Sequence, residues 1–276
     1  MRLRISHSTS YRYEPATTGV IQVLRLTPRN HDGQYVAQWR IDVSTDARLY
    51  LHEDEFGNVT HVMTQGAIAD LSINVEGLIE THDTAGVLRG TIERFPPSLF
   101  LRPTPLTGGN PEMKAFARDL RAEVEGTLGF LDLLVERLAA HMSLETEATS
   151  GRSAAEAFAL KRGVCEDHAH VFIGCARLAG VPARFVSGHF LRTGGALHRH
   201  AGHAWAEAFV PDLGWVGFDP ANGTRSTEAH ARVAIGLDYL GAAPVRGTRY
   251  GGGTETLTVS VRVDQAGRRE QSQAQQ

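Results

Sequence analysis

Five prolines between residues 96 and 111 (Pro96, Pro97, Pro103, Pro105 and Pro111) constrain this 276-residue chain more than any other feature. A proline fixes its own φ and lacks an amide hydrogen, so neither a helix interior nor a central strand can run through such a stretch. The chain is therefore divided. Residues 87–111 are expected to form a proline-rich linker lying extended across a junction between two units.

Residues 1–86 read as strands. LRISHSTSYRYE, GVIQVLRLTPR, QYVAQWRIDVST, ARLYLHED, NVTHVMTQ and ADLSINVEGLIETHD are rich in β-branched and aromatic residues and mostly alternate with period two. Turn signals separate them: Pro28 with Asn30, His31-Asp32-Gly33, and Phe56-Gly57-Asn58. Short strands at even spacing predict an antiparallel β-sandwich-like domain. No nucleophile–base pair stands out there, so His7, Tyr11, Tyr13 and Trp39 are read as packing or surface residues.

After Pro111 the period changes. Met113, Phe116, Leu120 and Val124 recur at helical spacing, as do Phe130, Leu133, Leu134, Leu138 and Met142. Ser153 with Glu156 fits a capping box opening a third, short helix that Gly163 would close. A fourth begins near Cys165, with Ala169, Phe172, Ile173 and Ala176 as its buried stripe, and Gly180 and Pro182 end it. ARFVSGHFL, GHAWAEAFV and GWVGFDP then read as strands, the last two joined by the turn Pro211-Asp212-Leu213-Gly214. Residues 221–253 look mixed and loop-rich, and TETLTVSVRV closes with strong alternation. The expected fold class is α+β. A core over residues 112–263 packs helices on an antiparallel sheet, and residues 264–276 form a polar, disordered tail.

Composition limits the partners. The net charge of -3, with 42% hydrophobic and 21% charged residues, offers no basic surface for nucleic acid or anionic membrane. No window reaches the ~18 apolar residues of a membrane helix. The amino-terminal MRLRISHSTSYRYE has no apolar run of signal-peptide kind, so the chain is expected to be cytoplasmic. With two cysteines, a disulfide framework is excluded as the stabilising device.

Cys165 carries the chemistry of interest. A free thiol, with a reference pKa of ~8.5, is mostly protonated at neutral pH, and a helix amino terminus or a neighbouring imidazole favours the thiolate. Cys165 falls at such a terminus, although Glu166 and Asp167 act the other way unless they point aside. Alternation puts His203, Trp205, Glu207 and Phe209 on one strand face. The return strand brings Asp219 near the level of His203, directly or diagonally according to register. Cys165, His203 and Asp219 are thus candidates for nucleophile, base and orienting acid in acyl transfer at an amide carbonyl. Asp167, His168 and Trp205 are candidates for supporting roles. Cys175, ten residues along the same helix, is read as a small buried hydrophobe.

GVCEDHAHVFIGCARLAGVPARFVSG, GHAWAEAFVPDLGWVGFDPANG and LDYLGAAPVRGTRYGGG resemble the bacterial transglutaminase-like cysteine enzymes. SHSTSYRY, LRLTPR and EFGNVT resemble the β domain that precedes the core in those proteins. The resemblance implies a papain-like core, a Cys165-His203-Asp219 triad, no cofactor or metal, and a peptide or protein amide as substrate. It covers hydrolysis as well as transamidation. The tryptophan that stabilises the oxyanion in animal transglutaminases has no counterpart between Trp39 and Trp205, so the oxyanion donors are unassigned, with the Cys165 amide the first candidate. Two other readings compete. A core of this kind can serve as a non-catalytic binding scaffold, and His198, His200 and His203 (H-x-H-x-x-H) invite a zinc reading without matching a zinc spacing.

Overall fold

The structure, a computed structural model, describes residues 1–146, 151–192 and 202–267. It is α+β. The first six strands are β1 (Arg2–Thr17), β2 (Gly19–Thr27), β3 (Gln34–Val43), β4 (Leu49–Glu53), β5 (Val59–Gln65) and β6 (Ile68–Thr81). The period-two pattern has its expected consequence: along β2, every second residue is buried. Tyr13, Leu71 and Ile73 from one sheet meet Val20, Leu24 and Met63 from the other in a sandwich core.

The helical unit follows, with α1 (Pro111–Glu123) and α2 (Thr127–His141), then β7 (Ser143–Leu144), α3 (Ala154–Leu160), β8 (Arg162–Gly163) and α4 (Cys165–Leu178). Asn110 caps α1, and the Ser153–Glu156 capping box opens α3. Strands β9 (Ala183–Phe190), β10 (His203–Val210), β11 (Gly214–Asp219), β12 (Thr224–Arg225) and β13 (His230–Gly236) form a five-stranded antiparallel sheet in the order β12-β11-β10-β9-β13. Helix α4 is buried without a break from Asp167 to Arg177. It rests on the face of β10 carrying Ala204, Ala206 and Ala208, small side chains that let a helix backbone come close.

The carboxy-terminal part differs from expectation. A short helix, α5 (Tyr239–Ala242), leads into β14 (Val245–Tyr250) and β15 (Thr254–Gln265), and both strands hydrogen-bond to the first unit rather than the second. Strand β15 pairs with β1 from Leu3↔Gln265 to Glu14↔Thr254, and β14 pairs with β2. The unit expected to run to residue 263 therefore gives up its last strands to the sandwich. Alternation announces a strand but not its neighbour, and β1 offers a long free edge. The closing strand also reaches Gln265, just inside the segment expected to be a disordered tail; residues 268–276 of that segment lie outside the described residues.

The proline-rich segment is docked rather than merely extended. Pro97–Leu101 form a 3-10 turn that buries Phe100. Arg177 of α4 donates from Nε to the Phe100 carbonyl at 2.8 Å and from Nη1 to Thr107 Oγ1 at 2.6 Å. From the same segment Glu93 reaches Arg184, which is buried, stacks on Trp215 with its guanidinium 3.9 Å from the ring centroid, and pairs with Glu207. Glu207 pairs in turn with Arg232.

Two amides of the first unit complete the outer edge of β13. Asn58 Nδ2 donates to the Ile235 carbonyl at 2.8 Å, and its Oδ1 accepts from the Ile235 amide at 2.9 Å. Gln34 does the same for Arg232, at 2.9 and 2.8 Å. Removing one such partner leaves buried backbone groups unpaired, at a cost of about 1–3 kcal/mol. Asn58→Ala is therefore expected to lower the urea midpoint of the whole chain, by about that free energy. An unchanged midpoint would show that the edge contacts do not hold the units together.

Candidate active site

Helix α4 presents Cys165 at its first turn. Asp167 Oδ2 accepts from the Val164 amide at 3.1 Å, closing that turn. An added Cβ at Gly163 would lie 2.6 Å from the Asp167 side chain, so the Gly163–Asp167 spacing is sterically coupled. Burial pushes the Asp167 carboxyl up to about 6, against the Val164 hydrogen bond and the Arg152 guanidinium, which lies 3.6 Å away. It is a buried brace for the turn, not a solvated residue.

Cys165 is half-buried and unpaired. Its Sγ donates to Glu166 Oε2 at 3.2 Å, and the Ala204 amide is directed at the sulfur. Burial, and next the Glu166 carboxylate, push the thiol up. This reverses the expectation drawn from the helix terminus. Asp167 does turn away to cap the helix, but Glu166 does not, and its charge together with desolvation outweighs the terminal amides. Cys175 is fully buried, and burial pushes its thiol up to about 12.

The hairpin register is now fixed. Ala206 faces Phe218 and Val210 faces Gly214, so Asp219 falls level with Trp205 and reaches His203 diagonally. His203 Nε2 lies 2.6 Å from Asp219 Oδ2, and both residues are buried. His203 Nδ1 has no protein partner among the described residues. The nitrogen that a base must keep free is the one left free, on the residue preceding Ala204, whose amide meets the thiol.

A second histidine completes the cluster. His230 Nδ1 accepts from the Thr227 amide at 3.0 Å, which leaves the proton on Nε2, 3.0 Å from Asp219 Oδ2. Asn222 Nδ2 donates to the same oxygen at 2.6 Å, and its amide donates to Oδ1 at 3.2 Å. Burial alone would raise the Asp219 carboxyl, but His203 and His230 hold it far below the usual carboxylate range. His230 was missed because it opens the strand HARVAIG inside a region read as loop-rich; the alternation beginning at His230 was the available signal. The ligand atoms of His203, Asp219 and His230 lie within 4.8 Å of one another. With its proton on Nε2, His230 is a donor to the carboxylate and has no lone pair there for a metal. Of the histidines in the zinc reading, His198 and His200 lie outside the described residues.

Trp205 stacks beside His203 with centroids 6.0 Å apart and meets His230 edge-on at 5.2 Å, so it fixes both rings from one side. His168 is buried, with Nε2 3.4 Å from the Ser143 carbonyl, and burial lowers its pKa. The cleft beside these groups, about 80 Å³, is walled by both units. Glu166, His203 and Tyr239 face His7 and Tyr11 of β1 and Leu257 of β15. His7 and Tyr11, read as packing residues, therefore also line the cleft.

Comparison with known proteins matches residues 114–220 to the transglutaminase-like superfamily core and residues 3–80 to the bacterial transglutaminase-like amino-terminal region. A protein of Mycobacterium leprae is 30% identical over 95% of this chain and 98% of its own length. The chain belongs to the transglutaminase-like superfamily. A protein-glutamine gamma-glutamyltransferase of Pseudomonas aeruginosa is 29% identical over 52% of this chain, which spans 24% of that larger protein. The fold is shared with a crystal structure from Cytophaga hutchinsonii, named as a candidate cysteine protease. Its TM-score is 0.77 at 16% identity, covering 96% of this chain and 90% of that one.

For the superfamily core, the Asp167 brace has a measurable pH signature. Between pH about 4 and 6 the folded chain holds more proton at Asp167 than the unfolded chain, so stability falls as pH rises through that window. Asp167→Asn keeps an acceptor for the Val164 amide and removes the buried charge. Its stability advantage over wild type is expected to be larger at pH 7.5 than at pH 4.5 by about 1 kcal/mol. An equal difference at both pH values would contradict this.

Proposed function

We propose that this chain carries out thiol-dependent acyl transfer at an amide carbonyl, with a peptide or isopeptide bond as substrate. The observation that carries the reading is His203, held through Nε2 by Asp219 with Nδ1 free, on the strand whose next amide meets the Cys165 sulfur. Cys165 gives its proton to His203 Nδ1, and the sulfur bonds to the carbonyl carbon. The amide C–N bond breaks as His203 returns the proton to the leaving amine. Water, activated in its turn by His203, then cleaves the thioester, releasing the acid and restoring the thiol. An amine in place of water would give transamidation, and the Pseudomonas gamma-glutamyltransferase relative supports that second outcome. The developing oxyanion falls near the unpaired amides of the first turn of α4, Cys165 foremost. Asp219 keeps the His203 ring in one orientation and offsets the positive charge it acquires.

The test is a mixture of glutamine-containing peptides, incubated with and without methylamine and read by mass spectrometry for cleavage, deamidation or amine incorporation. Cys165→Ala and His203→Ala are each expected to reduce product formation by at least about 10³-fold, as for members of one catalytic unit. Cys175→Ala, altering a buried thiol outside the cleft, is expected to retain it. Products that persist in Cys165→Ala, or none from wild type, would leave a binding scaffold as the better account.

A further inference from the structure

The cleft holds one carboxylate that this chemistry does not use. Glu166 lines it, and Cys165 Sγ is its hydrogen-bond donor among the described residues, with no cation paired to it there. The neighbouring carboxylates are all committed. Asp219 serves His203, His230 and Asn222; Asp167 serves Val164 and Arg152; Glu207 is shared by Arg184 and Arg232. A half-buried carboxylate satisfied by a weak thiol donor is an incomplete site for a cation. Tyr239 lies close enough to feel both Glu166 and Cys165 electrostatically and offers an aromatic wall. Across the cleft, Tyr11, Leu257 and Val259 close the space with apolar surface.

We propose that Glu166 receives the free α-ammonium group of the residue whose carbonyl Cys165 attacks, so that the acyl substrate is an unblocked amino-terminal residue. This rests on the acyl-transfer reading above. In an amino-terminal residue the nitrogen lies about 2.5 Å from its own carbonyl carbon. That carbon must come within about 3–3.5 Å of the sulfur to react. A carboxylate oxygen 3.2 Å from the same sulfur can therefore come within ion-pair distance of the ammonium when the substrate nitrogen lies on the Glu166 side. The wall from β1 and β15 bounds the cleft on that side. The ammonium would also draw Glu166 off the thiol, removing a negative charge that opposes the thiolate. Attack on the first peptide bond, departure of the protonated amine and hydrolysis of the thioester release one amino acid and a peptide shorter by one residue.

Affinity labelling of Cys165 tests this without requiring turnover. Wild type, Glu166→Gln and Glu166→Asp are each treated with alanine chloromethyl ketone, N-acetylalanine chloromethyl ketone or iodoacetamide, and labelling is followed by intact mass. Iodoacetamide also reports whether each variant keeps a native, accessible thiol. Wild type is expected to react at least about tenfold faster with the free-amine ketone than with the acetylated one, as a charge-assisted contact would give. The ratio is expected to fall toward one in Glu166→Gln and to survive in part in Glu166→Asp. Equal ketone rates in wild type, or a ratio that persists in Glu166→Gln, would overturn the proposal while leaving the acyl-transfer reading in place. Acceleration of the acetylated ketone by added methylamine would also overturn it, by assigning the site to a separate amine. A Cys165 inert to all three reagents would overturn both.

Discussion

A buried negative charge on Asp219 is the constraint around which the second unit is arranged. Taking a carboxylate out of water costs several kcal/mol unless hydrogen bonds replace the lost solvent. Here the donors come from three directions: His203 at the start of β10, His230 at the start of β13, and Asn222 in the turn after β11. The two imidazoles are held in turn. Trp205 packs on both imidazoles, and the Thr227 amide fixes the proton of His230. The same demand leaves His203 with one nitrogen bound and the other free, which is the condition for a base next to a thiol.

The amino-terminal sandwich takes part in this arrangement. Strand β13 is an edge strand, and an edge left open would be free to shift. Gln34 and Asn58 close it with reciprocal amide contacts, and β15 carries the chain back to pair along β1. The buried Arg184, Glu207 and Arg232, with Glu93 of the proline-rich segment, tie the sheet to the junction. The cleft wall formed by His7, Tyr11 and Leu257 follows from the same docking. The sandwich thus positions both His230 and the surface a substrate would meet.

Local chemistry made part of this legible in the sequence. Period-two alternation, proline, capping pairs and a four-residue turn are decided by neighbours in the chain, so the strands, the helices and the approach of Asp219 to His203 across the hairpin could be placed. What depended on distant partners could not. The edge that β15 would find, the docking of Phe100 and the meeting of His230 with Asp219 are properties of assembled surfaces. The thiol was a different case. Both opposing influences on Cys165, the helix terminus on one side and the acids Glu166 and Asp167 on the other, were visible in the sequence, but only the side-chain directions settle which dominates: Asp167 turns back to its helix cap and Glu166 turns to the sulfur.

The central claim is that Asp219 holds His203 through Nε2 and leaves Nδ1 for the thiol. The most direct measurement is the proton position on that ring, read from long-range nitrogen–carbon-bound-proton NMR correlations in ¹⁵N-histidine-labelled protein, with His203→Gln to assign the signals. The structure predicts a proton on Nε2 of His203, with His230 in the same tautomer, and loss of that preference at His203 in Asp219→Ala. A His203 ring that carries its proton on Nδ1 with Nε2 bare would contradict the account.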